Sequence, residues 1–134
     1  MKQLIVITAI LATQLSLAQA EPAAVNEVMN QFITQGASTG NAEKGKILWN
    51  TSYNGQAPFT ERSCQDCHGK DLTQPGKHVR TGKLIKPLAP SANKTSLNEA
   101  KKINKWFKRN CKWTLDRECN TQEKADILSY ISQQ

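Results

Sequence analysis

Two thiols separated by two residues, with an imidazole directly after them, occupy Cys64-Gln65-Asp66-Cys67-His68. Thiols at this spacing can add to two vinyl groups of a porphyrin, and the adjacent imidazole then reaches the central iron. The pattern predicts one covalently attached haem c, with Cys64 and Cys67 as attachment points and His68 as proximal ligand. Two other chemistries compete for the same thiols. A structural zinc site would recruit Cys111 and Cys119, but that second pair is spaced poorly for a zinc ribbon. A redox dithiol calls for a strand–helix junction of the thioredoxin kind, and none is visible.

The opposite face of the iron is less determined. Small electron carriers with this motif mostly use a methionine downstream of the histidine. This chain has only Met1 and Met29, both upstream of His68. Met29 falls on an amphipathic helical face and reads as packing. His78 is the only other histidine and leaves bis-histidine ligation open. Lysines are plentiful, but they ligate only when desolvated and neutral. Asn110, taken from the residues alone, reads as a helix C-cap tolerant of left-handed geometry. The sixth ligand is thus something unusual or nothing.

The elements that must position these groups begin after a leader. Lys2, the interrupted apolar run Leu4 to Leu17 and Ala18-Gln19-Ala20 form a signal-peptide pattern cleaved after Ala20. With no second hydrophobic segment, the mature product is expected to be soluble and exported to the periplasm, where c-type attachment is completed in bacteria. Removing residues 1–20 leaves 114, one domain spanning 21–134. Three Phe, three Trp and two Tyr are few for a core of that size, so a buried haem would supply much of the apolar contact. The formal charge of +7 becomes +6 when Lys2 is lost, which favours acidic redox partners or anionic membrane surfaces. Nucleic acid is a poor match, because the lysines are scattered and no recognition motif is present.

Val25, Val28, Met29, Phe32 and Ile33 share one helical face over 22–35. Asn41 is placed to cap a helix from Ala42 to about Ser52, with Gly45, Leu48 and Trp49 inward. Gly69 to Ser96 shows no sustained period and is long enough to wrap a prosthetic group. Ser96 with Glu99 predicts a capping box opening a helix from Leu97 to about Arg109, continued on one side by Ile103, Trp106, Phe107 and Asn110. Asn120 with Glu123 opens a last helix through Ile131, with Ala125, Leu128 and Ile131 inward. The expected class is all-α, with no convincing strand.

This layout resembles the class I cytochrome c fold across nearly all of the mature chain. The resemblance rests on Gly45 and Trp49 in one helix, the Cys64–His68 motif, and Tyr130 in the terminal helix. It implies that the two helices cross closely at Gly45, with Trp49 and Tyr130 packed around the contact. It also implies that a loop proline carbonyl, from Pro87 or Pro90, accepts the second ring N–H of His68. The helix over 22–35 is an addition to the simplest members.

Within that class, Trp106-Phe107-Lys108-Arg109-Asn110-Cys111, then Cys119 and Glu123 to Leu128, resembles the sphaeroides haem protein family. The resemblance implies Asn110 as distal ligand, set directly before a disulfide-bonded cysteine. Cys111 and Cys119 are free for that bridge once the first pair holds haem, and an oxidising compartment supports it. A neutral amide is a weak donor, so O₂, NO or CO should displace it from reduced iron. The family also implies partners resembling a dihaem cytochrome c and a membrane b-type cytochrome. The expected function is electron transfer by a monohaem cytochrome able to bind a diatomic ligand. The alternatives are an enzyme reducing O₂, NO or a hydroxylamine at an open ferrous site, and a bis-histidine carrier using His78. Peroxidase-type acid–base groups are not recognisable beyond His78.

Overall fold

Residues 22–134 are described in a computed structural model; the leader read over 1–20, with its cleavage after Ala20, lies outside the described residues. Helices α1 (Ala23–Thr34), α2 (Ala42–Asn50), the single-turn α3 (Gln65–His68), α4 (Ala100–Leu115) and α5 (Thr121–Ser132) carry the fold. The expectation of no strand needs one correction. Two minimal antiparallel ladders form, β1 (Tyr53–Asn54) with β2 (Glu61–Arg62) and β3 (Gly76–Lys77) with β4 (Leu84–Ile85). Ladders of two residues hold no alternation for a sequence pattern to reveal.

Local chemistry sets most helix starts. Asn41 Oδ1 accepts the Lys44 N–H at 2.9 Å and opens α2. Asn120 and Glu123 satisfy each other's backbone N–H groups at 2.8 Å, the capping box expected for α5. The start of α4 departs from expectation. Ser96 Oγ donates instead to the Leu88 carbonyl, Leu97 turns into the left-handed region at φ 56°, and the helix begins only at Ala100. It also runs past Arg109 to Leu115, so Asn110 is interior and not a C-cap; Asp116, at φ 57°, takes the C-cap position. The extension follows from Ile103, Phe107, Cys111 and Thr114, which hold one inward stripe at intervals of four, four and three.

Two apolar clusters lie between the helices. Val25, Val28 and Phe32 of α1 pack with Ile103 of α4 and Leu128 of α5, and Phe32 meets Phe107 edge-on at 5.9 Å. Trp49, Leu72, Ala89, Cys111, Cys119, Ile127, Tyr130 and Ile131 form the second. Helix α5 contributes to both, with Leu128 in the first and Ile127, Tyr130 and Ile131 in the second, and α2 crosses it closely. A Cβ at Gly45 would lie 2.6 Å from the Asp126 carbonyl carbon and 2.8 Å from Tyr130 Cβ, so only glycine permits this approach. Asp126 is itself buried, and its Oδ1 accepts from the Asn41 N–H and Gln122 Nε2, both at 2.8 Å. Buried carboxylates are tolerated when partnered in this way.

The long connection from Gly69 to Ser96 is folded. The Leu72 carbonyl accepts from the N–H groups of Leu88 and Ala89, at 3.0 and 2.9 Å, which closes the loop at its base. The β3–β4 hairpin stands on that base.

Candidate functional site

Cys64, Cys67 and His68 sit on and beside α3, a single turn ended by Gly69 at φ +79°, a value that suits glycine. Three contacts hold that turn. Trp49 Nε1 donates to the Gly69 carbonyl at 3.2 Å, and its ring lies 5.5 Å from the His68 ring and 6.0 Å from Tyr130. The Ser63 N–H donates to Asp66 Oδ2 at 2.6 Å, which fixes the chain just before Cys64. Gly76 of β3 approaches so closely that a Cβ there would lie 2.9 Å from His68 Cα. Gly76 went unread in the sequence, although the Pro75-Gly76 pair is a turn signal.

Cys64, Cys67, His68, His78 and Asn110 all line one cavity of about 1150 Å³. Ligand sites commonly measure roughly 300–1,000 Å³, so this one suits a large, flat group. Leu48, Ile85, Leu88, Leu97, Ile103, Phe107 and Ile131 form much of its wall. Arg80, Lys83, Lys86, Lys102, Lys108 and Arg109 also reach it, against Glu99, Asp116 and Glu123.

The donor set fits a covalent porphyrin. Cys64 and Cys67 are free thiols, whereas Cys111 and Cys119 are joined to each other, with Cα atoms 5.5 Å apart. That bridge removes the four-cysteine zinc site, and the described residues gather no cluster of three or more His, Cys, Asp or Glu as a metal site. Burial pushes the Cys64 thiol up to about 12, with the charges of Asp66 and Cys67 adding to it, so it is not a ready thiolate of the redox-dithiol kind. Burial, and then His78 nearby, pushes His68 down to about 4, leaving a neutral imidazole at physiological pH, the form that binds iron.

His68 Nδ1 is buried without a partner. Such an orphan is costly. A ligating histidine normally donates this second ring N–H to an acceptor, so His68 has the neutral imidazole a haem iron needs but lacks the usual partner that orients it. The expected acceptor is missing: neither the Pro87 nor the Pro90 carbonyl takes the His68 ring nitrogen, and Pro87 O accepts from Asn93 Nδ2 at 2.8 Å.

On the opposite element, Asn110 projects from α4 one residue before Cys111 and is exposed, while Cys111 is buried. The structure brings Asn110 and His68 to the same cavity from α4 and α3. His78 stands in the β3–β4 turn, where its Nδ1 accepts from the N–H groups of Arg80 and Thr81 at 3.2 and 3.3 Å. A ring nitrogen that accepts carries no proton, so the proton sits on Nε2 and His78 is a donor through that nitrogen. Met29 packs against the α1–α4–α5 cluster and is not among the cavity residues.

A helical domain that presents Cys64, Cys67 and His68 to one large apolar cavity defines a small c-type cytochrome. Residues 35–131 match the family described as "Domain of unknown function (DUF1924)". The chain is 34% identical to cytochrome c-type protein SHP of Cereibacter sphaeroides over the full length of both, and it belongs to that family of cytochromes c. It is 32% identical to cytochrome c″ of Methylophilus methylotrophus over 87 residues, 65% of this chain and 60% of that protein. Among solved structures, oxidised SHP, an oxygen-binding cytochrome c, superposes with a TM-score of 0.76 at 34% identity, covering 86% of this chain and 100% of SHP. Oxidised cytochrome c″ gives 0.68 at 27% identity, over 81% and 89%. The cofactor is haem c, covalently bound. It supplies a redox-active iron; Cys64 and Cys67 would anchor it and His68 would ligate it.

Proposed function

We propose that this chain is an exported, periplasmic monohaem cytochrome that carries electrons, in which His68 and Asn110 would both ligate the iron and Asn110 would be displaceable by O₂, NO or CO. The observation that carries this reading is the placement of Asn110 and His68 on one cavity, from two different elements. The nearest rival, His78, has its Nδ1 occupied by two backbone N–H groups, which disfavours ligation through Nε2. The likeness to an oxygen-binding cytochrome c supports a displaceable ligand, as does a second structure of cytochrome c″ concerned with haem-ligand detachment. No helix among the described residues is long and apolar enough to cross a membrane, consistent with an exported carrier. The surplus of lysine and arginine at the cavity suits an acidic redox partner, of which a dihaem cytochrome c and a membrane b-type cytochrome are the proposed kinds.

Substitution of Asn110 by histidine tests the ligand assignment. N110H should give a low-spin, six-coordinate ferrous spectrum and bind CO more slowly than wild type by about tenfold or more, since imidazole is the stronger donor. Unchanged CO association in N110H would refute Asn110 as the ligand. Steady-state consumption of O₂ or NO with an electron donor would instead mark an enzyme.

A further inference from the structure

We propose that Arg62 is a positioning residue for the distal ligand, tying the end of α4 that carries Asn110 to the strand that delivers Cys64. The inference rests on Asn110 as ligand. Arg62 ends β2, two residues before Cys64. Its Nη1 donates to the Trp113 carbonyl at 2.6 Å, its Nε to Phe59 O at 3.1 Å and its Nη2 to Gln56 O at 3.4 Å. The guanidinium also lies 5.0 Å from the centre of the Trp113 ring, which Phe59 meets edge-on at 6.2 Å.

Trp113 stands three residues beyond Asn110, in the last turn of α4. Carbonyls of a last turn have no partner within the helix, and a cation there meets the negative end of the helix dipole. A planar fork that donates along several directions while stacking on an indole is a task for arginine and not for lysine. The fold makes room for it. A Cβ on Gly55, the residue directly after β1, would lie 2.9 Å from Arg62 Cδ, so glycine at this position leaves the arginine its place.

The consequence is geometric. With Cys64 and Cys67 covalently fixed to the haem edge, the distance Asn110 can withdraw depends on what holds the far end of α4. The Cys111–Cys119 bridge ties that end to the start of α5, and Arg62 ties it to the attachment strand. Without Arg62 the helix end keeps the bridge but loses its hydrogen bond to the attachment strand, with only the Phe59–Trp113 ring contact left on that side. Asn110 should then leave the iron more often.

A cycle of variants made as full holoprotein tests this, read by CO association after reduction and by thermal melting. R62Q should accelerate CO association about fivefold, a coupling of the usual size for linked groups, and should have no effect when combined with N110A. If R62Q lowers the melting temperature but leaves the CO rate at the wild-type value, Arg62 is a staple and the inference fails. It fails equally if R62Q accelerates CO to the same extent with and without Asn110. If N110A itself matches wild type, the ligand assignment is what has failed. Should R62Q not retain haem, W113F removes the stacked indole and keeps the carbonyl; it should accelerate CO about twofold, and no change would overturn the proposal.

Discussion

The two sides of the cavity are built to different standards of rigidity. The side of α3 is held by Trp49 above, Gly76 behind and the α2–α5 crossing beneath, each at a distance that tolerates no added methyl or lost ring. The side of α4 presents an exposed Asn110 from a helix secured near its end by one disulfide and one guanidinium. Rigidity where the haem is attached and latitude where the iron can be reached is what a cytochrome needs if its distal ligand is to exchange. The contrast also explains why the α3 side is dense with residues of special geometry whereas the α4 side reads as an ordinary amphipathic helix.

The contrast can be broken most severely from the rigid side. Replacing both Cys64 and Cys67 by serine should abolish covalent haem altogether, measured as haem retained by the denatured chain on a gel. Retention at wild-type levels would show that attachment lies elsewhere. Next in size is G45A, which drives a Cβ against the Asp126 carbonyl and should destabilise by about 1–3 kcal/mol in chemical denaturation. A neutral result would mean that α2 and α5 can move apart without loss.

On the looser side, replacing Cys111 and Cys119 together by serine should cost about 2.5 kcal/mol by the loop-entropy argument. If the bridge also restrains Asn110, CO association should rise as stability falls. Stability alone changing would assign the bridge a stapling role.

The smallest effect concerns the loop that follows the bridge. The Glu123 carboxyl is held below its usual range chiefly by the Arg117 hydrogen bond, opposed by burial and aided by the Asn120 N–H. A carboxyl depressed in the folded state stabilises above its unfolded value, near 4.5, and loses that contribution as pH falls through the lower folded value. R117Q should therefore flatten the acid loss of stability below about pH 4.5. An unchanged acid profile would remove this pair from the pH dependence.

How much of this was legible in the sequence followed the range of the interactions. Asn41 and the Asn120–Glu123 box are local signals and hold at both helices. The Ser96–Glu99 box has the same spacing and fails, because the Leu88 carbonyl, close in space but eight residues back, competes for the Ser96 hydroxyl. Asn110 looked like a helix end since asparagine is common there. The buried Cys111 and Thr114 carried the helix on to Leu115, a tertiary override of local preference. Arg62 gave no signal at all, as its role depends on carbonyls at Gln56, Phe59 and Trp113 that only the folded chain assembles. The attachment motif was legible because its chemistry is compressed into five consecutive residues.

The most direct measurement is the absorption spectrum of the reduced wild-type protein with and without CO. A displaceable Asn110 requires a prompt, saturable shift of the haem bands on adding CO and their return when CO is removed. Bands that stay unchanged under CO would mean a firmly held sixth ligand, and would contradict the assignment of Asn110 as an exchangeable one.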